Sequence, residues 1–342
     1  MAQLVAALGT SHTPLLVTDV ALWPLLAERD RTNPMLYDAN GSHRTYDELA
    51  SAAGDRYLDA IAPAHLAQLH RACQDALDRL AVDLQRARPD VVIIVGDDQH
   101  ELFDETNQPA IAIGWADRLA TGRSHAPPSP LNDQIWSGYA MDRATDFPGH
   151  PQLAKALIGA LLQRGFDVAS VCGPPVPEPG SDAATTAVGY GHAYGFVLKR
   201  LLGERSIPVV PVLLNTFYPP NQPSAARCHD LGRALAEVLA DLEDGTPEPL
   251  RVALVASGGW SHFVVDEALD EIVLHSLQSG DGSGLRDLPA HLLEAGSSEI
   301  RNWITVAGAV QPRPADWVTY LPVRRSPAGT GVGCGFASWV LE

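Results

Sequence analysis

Residues 63–100 read PAHLAQLHRACQDALDRLAVDLQRARPDVVIIVGDDQH. Leu66, Leu69, Cys73, Leu77, Leu80 and Leu84 recur at three- and four-residue steps, the apolar stripe of a helix that follows Pro63 and that Pro89 blocks from continuing. Val91–Val95 is then apolar at every position, as a buried strand requires, and it runs straight into Gly-Asp-Asp-Gln99-His100. Outward from this helix–strand unit the pattern repeats. Leu4–Leu8, Ala110–Ile113, Val168–Val171, Val209–Leu214 and Val252–Ala256 are short apolar runs of the same kind. Helical periodicity covers Pro151–Arg164, Ala225–Leu242 and Asp266–Leu277. Strands alternating with helices predict an α/β fold, a central mixed β-sheet flanked by helices in a single domain. Two irregular stretches, Asp19–Ala62 and Asp117–Gly149, read as lids or binding loops. The glycine-rich segment Gly329–Gly335 has no helix after it and reads as a closing strand or loop rather than a phosphate cradle.

Composition narrows the partners. The chain of 342 residues carries a net charge of −17, which opposes nucleic-acid phosphates and anionic membrane surfaces, since both need clustered Lys and Arg. No apolar run approaches a bilayer span, and the N-terminus lacks the basic region of a secretory signal. Cys73, Cys172, Cys228 and Cys334 lie far apart without C-x-x-C spacing, the usage of reduced thiols in a cytoplasmic protein.

Function is concentrated where strands end. Leu8 leads into Gly-Thr-Ser-His12, Val95 into Gly-Asp-Asp-Gln99-His100, and Ala256 into Ser-Gly-Gly-Trp-Ser-His262. The carboxyl ends of strands are where α/β sheets build sites, so the three segments are expected to converge. His12, in a turn of small residues closed by Pro14, has the restricted setting of a metal ligand. Glu267 follows His262 by five residues at the start of a helix, where it either joins His262 in one site or caps the helix. His192 stands in Gly189-Tyr-Gly-His192-Ala-Tyr-Gly195, glycines that suit close approach to a planar ligand and suit a plain loop equally.

Taken together, these motifs resemble the class III extradiol dioxygenases, the superfamily of the protocatechuate 4,5-dioxygenase β subunit. The resemblance runs through Gly9-Thr-Ser-His12-Thr-Pro14, Val92-Ile-Ile-Val-Gly-Asp-Asp-Gln99, Phe147-Pro-Gly-His150-Pro151, Gly191-His192-Ala193, Asn215-Thr-Phe-Tyr-Pro-Pro-Asn-Gln-Pro223, Ser257-Gly-Gly-Trp-Ser-His262 and Asp266-Glu267. It is nearest in kind to the longer 3-O-methylgallate dioxygenase type, which makes Ala21–Cys73 an N-terminal helical and loop insert. The resemblance implies Fe(II) held by two histidines and a glutamate, with three positions left for a chelating catecholate and O2. It places the first ligand at His12 and the carboxylate at Glu267. At the second histidine the sequence departs from the family, because the gap-free frame sets Gln99 on the ligand position and His100 one step beyond. Three readings stay open: Gln99 through its amide oxygen, His100 brought round by a local bulge, or a histidine of the insert, His43 or His70.

The same resemblance assigns acid/base roles to His262, as the base that deprotonates the catechol, and to His192, as the donor to the departing oxygen. It implies opening of a catechol or gallate-type ring with both atoms of O2 incorporated; a homo-oligomer, a dimer in the simplest case, is expected besides. Arg29, Arg31 and Arg123 lie in the long loops where a carboxylate clamp would sit, or are ordinary surface arginines. Two other classes share the scaffold: an aminophenol- or hydroxypyridine-cleaving relative or metal-dependent hydrolase, and a non-catalytic homologue that has lost its metal.

Overall fold

The computed structural model describes residues 2–124, 126–173, 188–242 and 248–341. Its strands are β1 (Ala2–Thr10), β2 (Val91–Asp97), β3 (Ile111–Gly114), β4 (Arg118–Ala120), β5 (Asp146–Pro148), β6 (Ala169–Val171), β7 (Val209–Leu214), β8 (Leu250–Ser257), β9 (Trp317–Arg324) and β10 (Gly331–Val340). The helices are α1 (Trp23–Asp30), α2 (Tyr46–Ala53), α3 (Pro63–Ala87), α4 (Pro130–Gly138), α5 (Pro151–Gln163), α6 (His192–Val197), α7 (Ala225–Asp241), α8 (Glu267–Ser279), α9 (Ser283–Arg286) and α10 (Ile300–Val310). Eight strands form one sheet in the order β6-β3-β7-β2-β8-β1-β10-β9, and β4 pairs with β5 separately. The four central strands β7, β2, β8 and β1 are mutually parallel, while β3 and β10 run antiparallel to β7 and β1. The sheet is therefore mixed and flanked by helices, as the alternation predicts.

Strand β2 shows why its sequence is apolar throughout. Val91, Ile93 and Val95 enter a core layer built with α5, α7 and α10, whereas Val92 and Ile94 enter the opposite layer with α3 and α6. Both faces are covered, so side chains of either parity must be hydrophobic. Helix α3 stops at Ala87, and Arg88 turns into the left-handed region (φ 44°) before Pro89.

The long loops hold more structure than their composition indicates. Residues 19–62 contain α1 and α2, the latter closed by a reciprocal capping box between Thr45 and Glu48, and residues 117–149 contain β4, α4 and β5. Cys73, the expected end of the insert, lies inside the continuous helix α3. The Gly329–Gly335 segment opens β10, which closes one side of the sheet against β1 and β9. No helix among the described residues is long and apolar enough to cross a membrane.

Candidate metal centre

Because β2, β8 and β1 are neighbours and parallel, their carboxyl ends emerge side by side. The three segments do converge: Thr10 leads to His12, Asp97 ends β2, and Ser257 ends β8. A cavity of about 490 Å³ opens over this edge, with His12, Gln99, Glu101, His192, His262 and Glu299 on its wall. That volume suits a small-molecule ligand.

His12 is buried, and its ring is fixed from behind. The Ser257 hydroxyl has one proton, which it donates to the Ala193 carbonyl at 2.7 Å, so Ser257 Oγ accepts from His12 Nδ1 at 3.0 Å. The ring therefore carries its proton on Nδ1, and the Nε2 lone pair faces the cavity. Tyr139 donates to the His12 carbonyl at 2.6 Å and holds the turn. No hydrogen bond reaches Nε2, although Glu299 Oε2 stands 3.1 Å away. Two acceptors face each other across a buried gap, an arrangement that requires a cation, whether proton or metal, between them.

Glu299 is the carboxylate of the site. It sits at the entry to α10, 3% exposed, where Oε2 accepts from the Gly259 amide at 2.7 Å and Oε1 lies 3.2 Å from His262 Nε2. Burial alone would raise its pKa, but His262 and His12 beside it hold it well below the ordinary carboxylate range. Helix α10 lies close to the sheet because Gly9 has no side chain: a Cβ there would meet the Trp303 ring at 2.0 Å. From the same helix Asn302 donates to Asp97 Oδ1 at 3.2 Å and to the Ser257 carbonyl at 2.8 Å.

Asp97, Gln99 and Glu101 are tied together where β2 ends. Gln99 Nε2 donates to Asp97 Oδ2 at 3.2 Å and to Glu299 Oε1 at 3.3 Å, and the Gln99 amide N–H donates to Glu101 Oε2 at 2.6 Å. Asp97 is fully enclosed, and burial and the nearby Glu299 raise its pKa. His192 Nδ1 lies 2.5 Å from Glu101 Oε1, and its Nε2 lies 3.9 Å from Asp97 Oδ2. Burial would depress the His192 pKa, but Glu101 and Asp97 outweigh it and push it up to about 10. His262 Nδ1 meets the Trp260 carbonyl at 2.8 Å, leaving Nε2 toward Glu299; burial opposes its charge, yet Glu299 raises its pKa. His12, Asp97, His192 and Glu299 each present a ligand atom, all within 4.8 Å of one another. The donor set, with its orphaned His12 nitrogen, fits a divalent cation.

Several expectations change. Glu267 is the first residue of α8, exposed, with Oε1 accepting from Arg324 at 2.6 Å; the structure brings Glu299, not Glu267, to His12. Nor does Glu267 cap the helix, since Asp266 is the N-cap and accepts from the Ala268 and Leu269 amides. His100 has φ 64°, which takes it out of the strand alternation, and its ring stacks on Tyr218 at 3.7 Å. Gln99 is in the site, but its amide nitrogen faces the carboxylates; the reverse orientation would set its oxygen against two carboxylate oxygens. His43 Nε2 is held by the Pro34 carbonyl at 2.7 Å, and His70 packs against Trp23. The glycine beside His192 serves Glu101: a Cβ on Gly191 would lie 2.4 Å from that carboxylate.

Sequence reasoning missed Glu299, Asp97 and Glu101. A signal for Glu299 exists in hindsight, an acid opening a helix whose residues are buried almost all round.

The sequence matches the profile of the catalytic LigB subunit of aromatic ring-opening dioxygenase over residues 59–334, a span that contains Gln99, His192, His262 and Glu299 but not His12. A 2,3-dihydroxyphenylpropionate/2,3-dihydroxicinnamic acid 1,2-dioxygenase of Comamonas testosteroni is 27% identical over 176 residues, which is 51% of this chain and 43% of that protein. The chain thus spans under half the length of that relative.

Proposed function

Because the chain belongs to the LigB family of aromatic ring-opening dioxygenases, we propose that it is an Fe(II)-dependent extradiol dioxygenase of catechol- or gallate-type acids. The observation that carries the metal is the buried His12 Nε2 lone pair, which faces Glu299 Oε2 at 3.1 Å and has no hydrogen-bond donor of its own. His12 and Glu299 would hold the ion. Bound there, Fe(II) supplies a Lewis-acidic, redox-active centre for a catecholate and O2.

The protein's own groups prepare the ring for it. Trp136, Tyr139 and Phe263 give the cavity aromatic walls against which a planar substrate stacks. His262, with Nδ1 committed to the Trp260 carbonyl, turns Nε2 toward the cavity and takes the proton of a substrate hydroxyl at that atom. Arg29 and Arg123 also line the cavity. Arg29 donates to the Asn132 amide oxygen at 2.7 Å, and neither arginine has an ion pair among the described residues. Arg325, on the same wall, is neutralised by Asp30 through two contacts of 2.7 Å. Two uncompensated guanidinium groups in an otherwise acidic protein favour a substrate that carries a carboxylate.

The test is anaerobic reconstitution with Fe(II), then oxygen uptake against catechols, gallates, catecholic acids and aminophenols. Uptake of one O2 per ring-cleaved product is expected with catecholic or gallate-type acids. Iron-loaded protein that consumes oxygen with none of them would sink the reading.

A further inference from the structure

His12 and Glu299 by themselves give a metal only two protein ligands. Resting on the metal-dependent reading above, we propose that His192 supplies a third and Glu101 holds it in place, so that His12, His192 and Glu299 carry the metal. Among the described residues, His12 and His192 are the two histidines that cluster with both carboxylates inside 4.8 Å; His12 Nε2 lies 3.1 Å from Glu299 Oε2, His192 Nε2 lies 3.9 Å from Asp97 Oδ2, and the two rings meet edge to face at 4.6 Å between centroids. A Glu101 oxygen accepts from His192 Nδ1 at 2.5 Å, which fixes the proton there and leaves Nε2 as the donor atom. A carboxylate behind a histidine is the usual way a metal-bound imidazole is oriented.

Glu101 is itself a built feature rather than a passing contact. Its other oxygen takes the Gln99 amide at 2.6 Å, its side chain is 14% exposed, and Gly191 leaves the space it fills. Asp97 stays outside the set, because it is absent from the cavity wall that carries His12, His192 and Glu299, and Asn302 and Gln99 hold its two oxygens away from it. The polar segment after β2 thus supplies a carboxylate that backs an imidazole reached from α6.

Metal-free full-length protein titrated with Co(II), followed by calorimetry and visible absorption, tests this. His12→Ala is expected to abolish binding and His192→Ala to weaken it by about 100-fold or more, whereas Glu101→Gln, acting through His192, is expected to weaken it by about 10–100-fold. In Cu(II)-loaded protein, spin-echo modulation is expected to count two coordinated imidazoles in the wild type and one in His192→Ala. If His12→Ala cannot bind Co(II) but His192→Ala binds as the wild type does, with two imidazoles, the proposal is overturned and the metal reading survives. A wild-type protein that binds no Co(II) overturns both. Should His192→Ala fail to fold by circular dichroism, Glu101→Gln decides, and unchanged Co(II) affinity there refutes the proposal.

Discussion

Replacing Glu299 by glutamine removes one negative charge and almost no volume. The carboxylate lies 3.1 Å from His12 and 3.2 Å from His262 and is nearly inaccessible to water. A unit charge interacting with another at about 4 Å in an effective dielectric of about 20 is worth about 4 kcal/mol. A metal ion in the gap would sit closer and carry two charges, so about 4 kcal/mol is a conservative loss, equivalent to about a 1,000-fold drop in affinity. Glu267→Gln is the matched control, because that carboxylate is 58% exposed and its pairing with Arg324 is worth about 0–1 kcal/mol. Iron content after anaerobic reconstitution, with Fe(II) or Co(II) isotherms, reads the difference. Glu299→Gln is expected to retain little iron and Glu267→Gln a full complement. Full iron in Glu299→Gln, or its loss in Glu267→Gln, would refute the assignment of the carboxylate.

His262→Ala is expected to keep its iron and lose about 100-fold or more in oxygen uptake, checked by stopped-flow turnover of iron-loaded protein. Arg29→Ala and Arg123→Ala are expected to raise KM about 10-fold or more for a catecholic acid while leaving catechol itself unaffected, which steady-state kinetics on the pair of substrates will show. Gly9→Ala drives a methyl into the Trp303 ring and is expected to cost about 1–3 kcal/mol in urea unfolding and to weaken metal binding by shifting α10. For metal-free protein, the His192 pKa is raised to about 10, so its contribution to stability is complete below its unfolded value near 6.5 and disappears as pH climbs toward 10. Glu101 has a depressed pKa, so its contribution is present above the unfolded carboxylate value and is lost in acid. Melting temperature should therefore fall between about pH 6.5 and 10 in the wild type, and fall less in Glu101→Gln.

The elements that periodicity specifies are legible in the sequence alone. The stripe from Leu66 to Leu84 and the unbroken apolar run Val91–Val95 each contain enough repeats to fix their type, and alternation of such units implies a sheet covered by helices. The helices α1, α2 and α4 are not legible in that way, since each is too short for an apolar stripe to repeat and is placed by what it packs on.

The site divides the same way. By itself the sequence determined that polar segments follow three buried strands, that His12, Gln99 and His262 lie on them, and that the second of these segments departs from the family's motif at Gln99, because strand ends and motif frames are local properties. Which carboxylate reaches His12 was decided only by tertiary structure. Glu267 is five residues from His262 and points to solvent, while Glu299, thirty-odd residues on, is carried back by α10 across Gly9. That Asp97, Gln99 and Glu101 are near one another follows from the chain, but that Glu101 meets His192 depends on α6 arriving with a glycine at 191. Distances across the fold follow from which helix packs on which strand, and sequence separation carries no record of that.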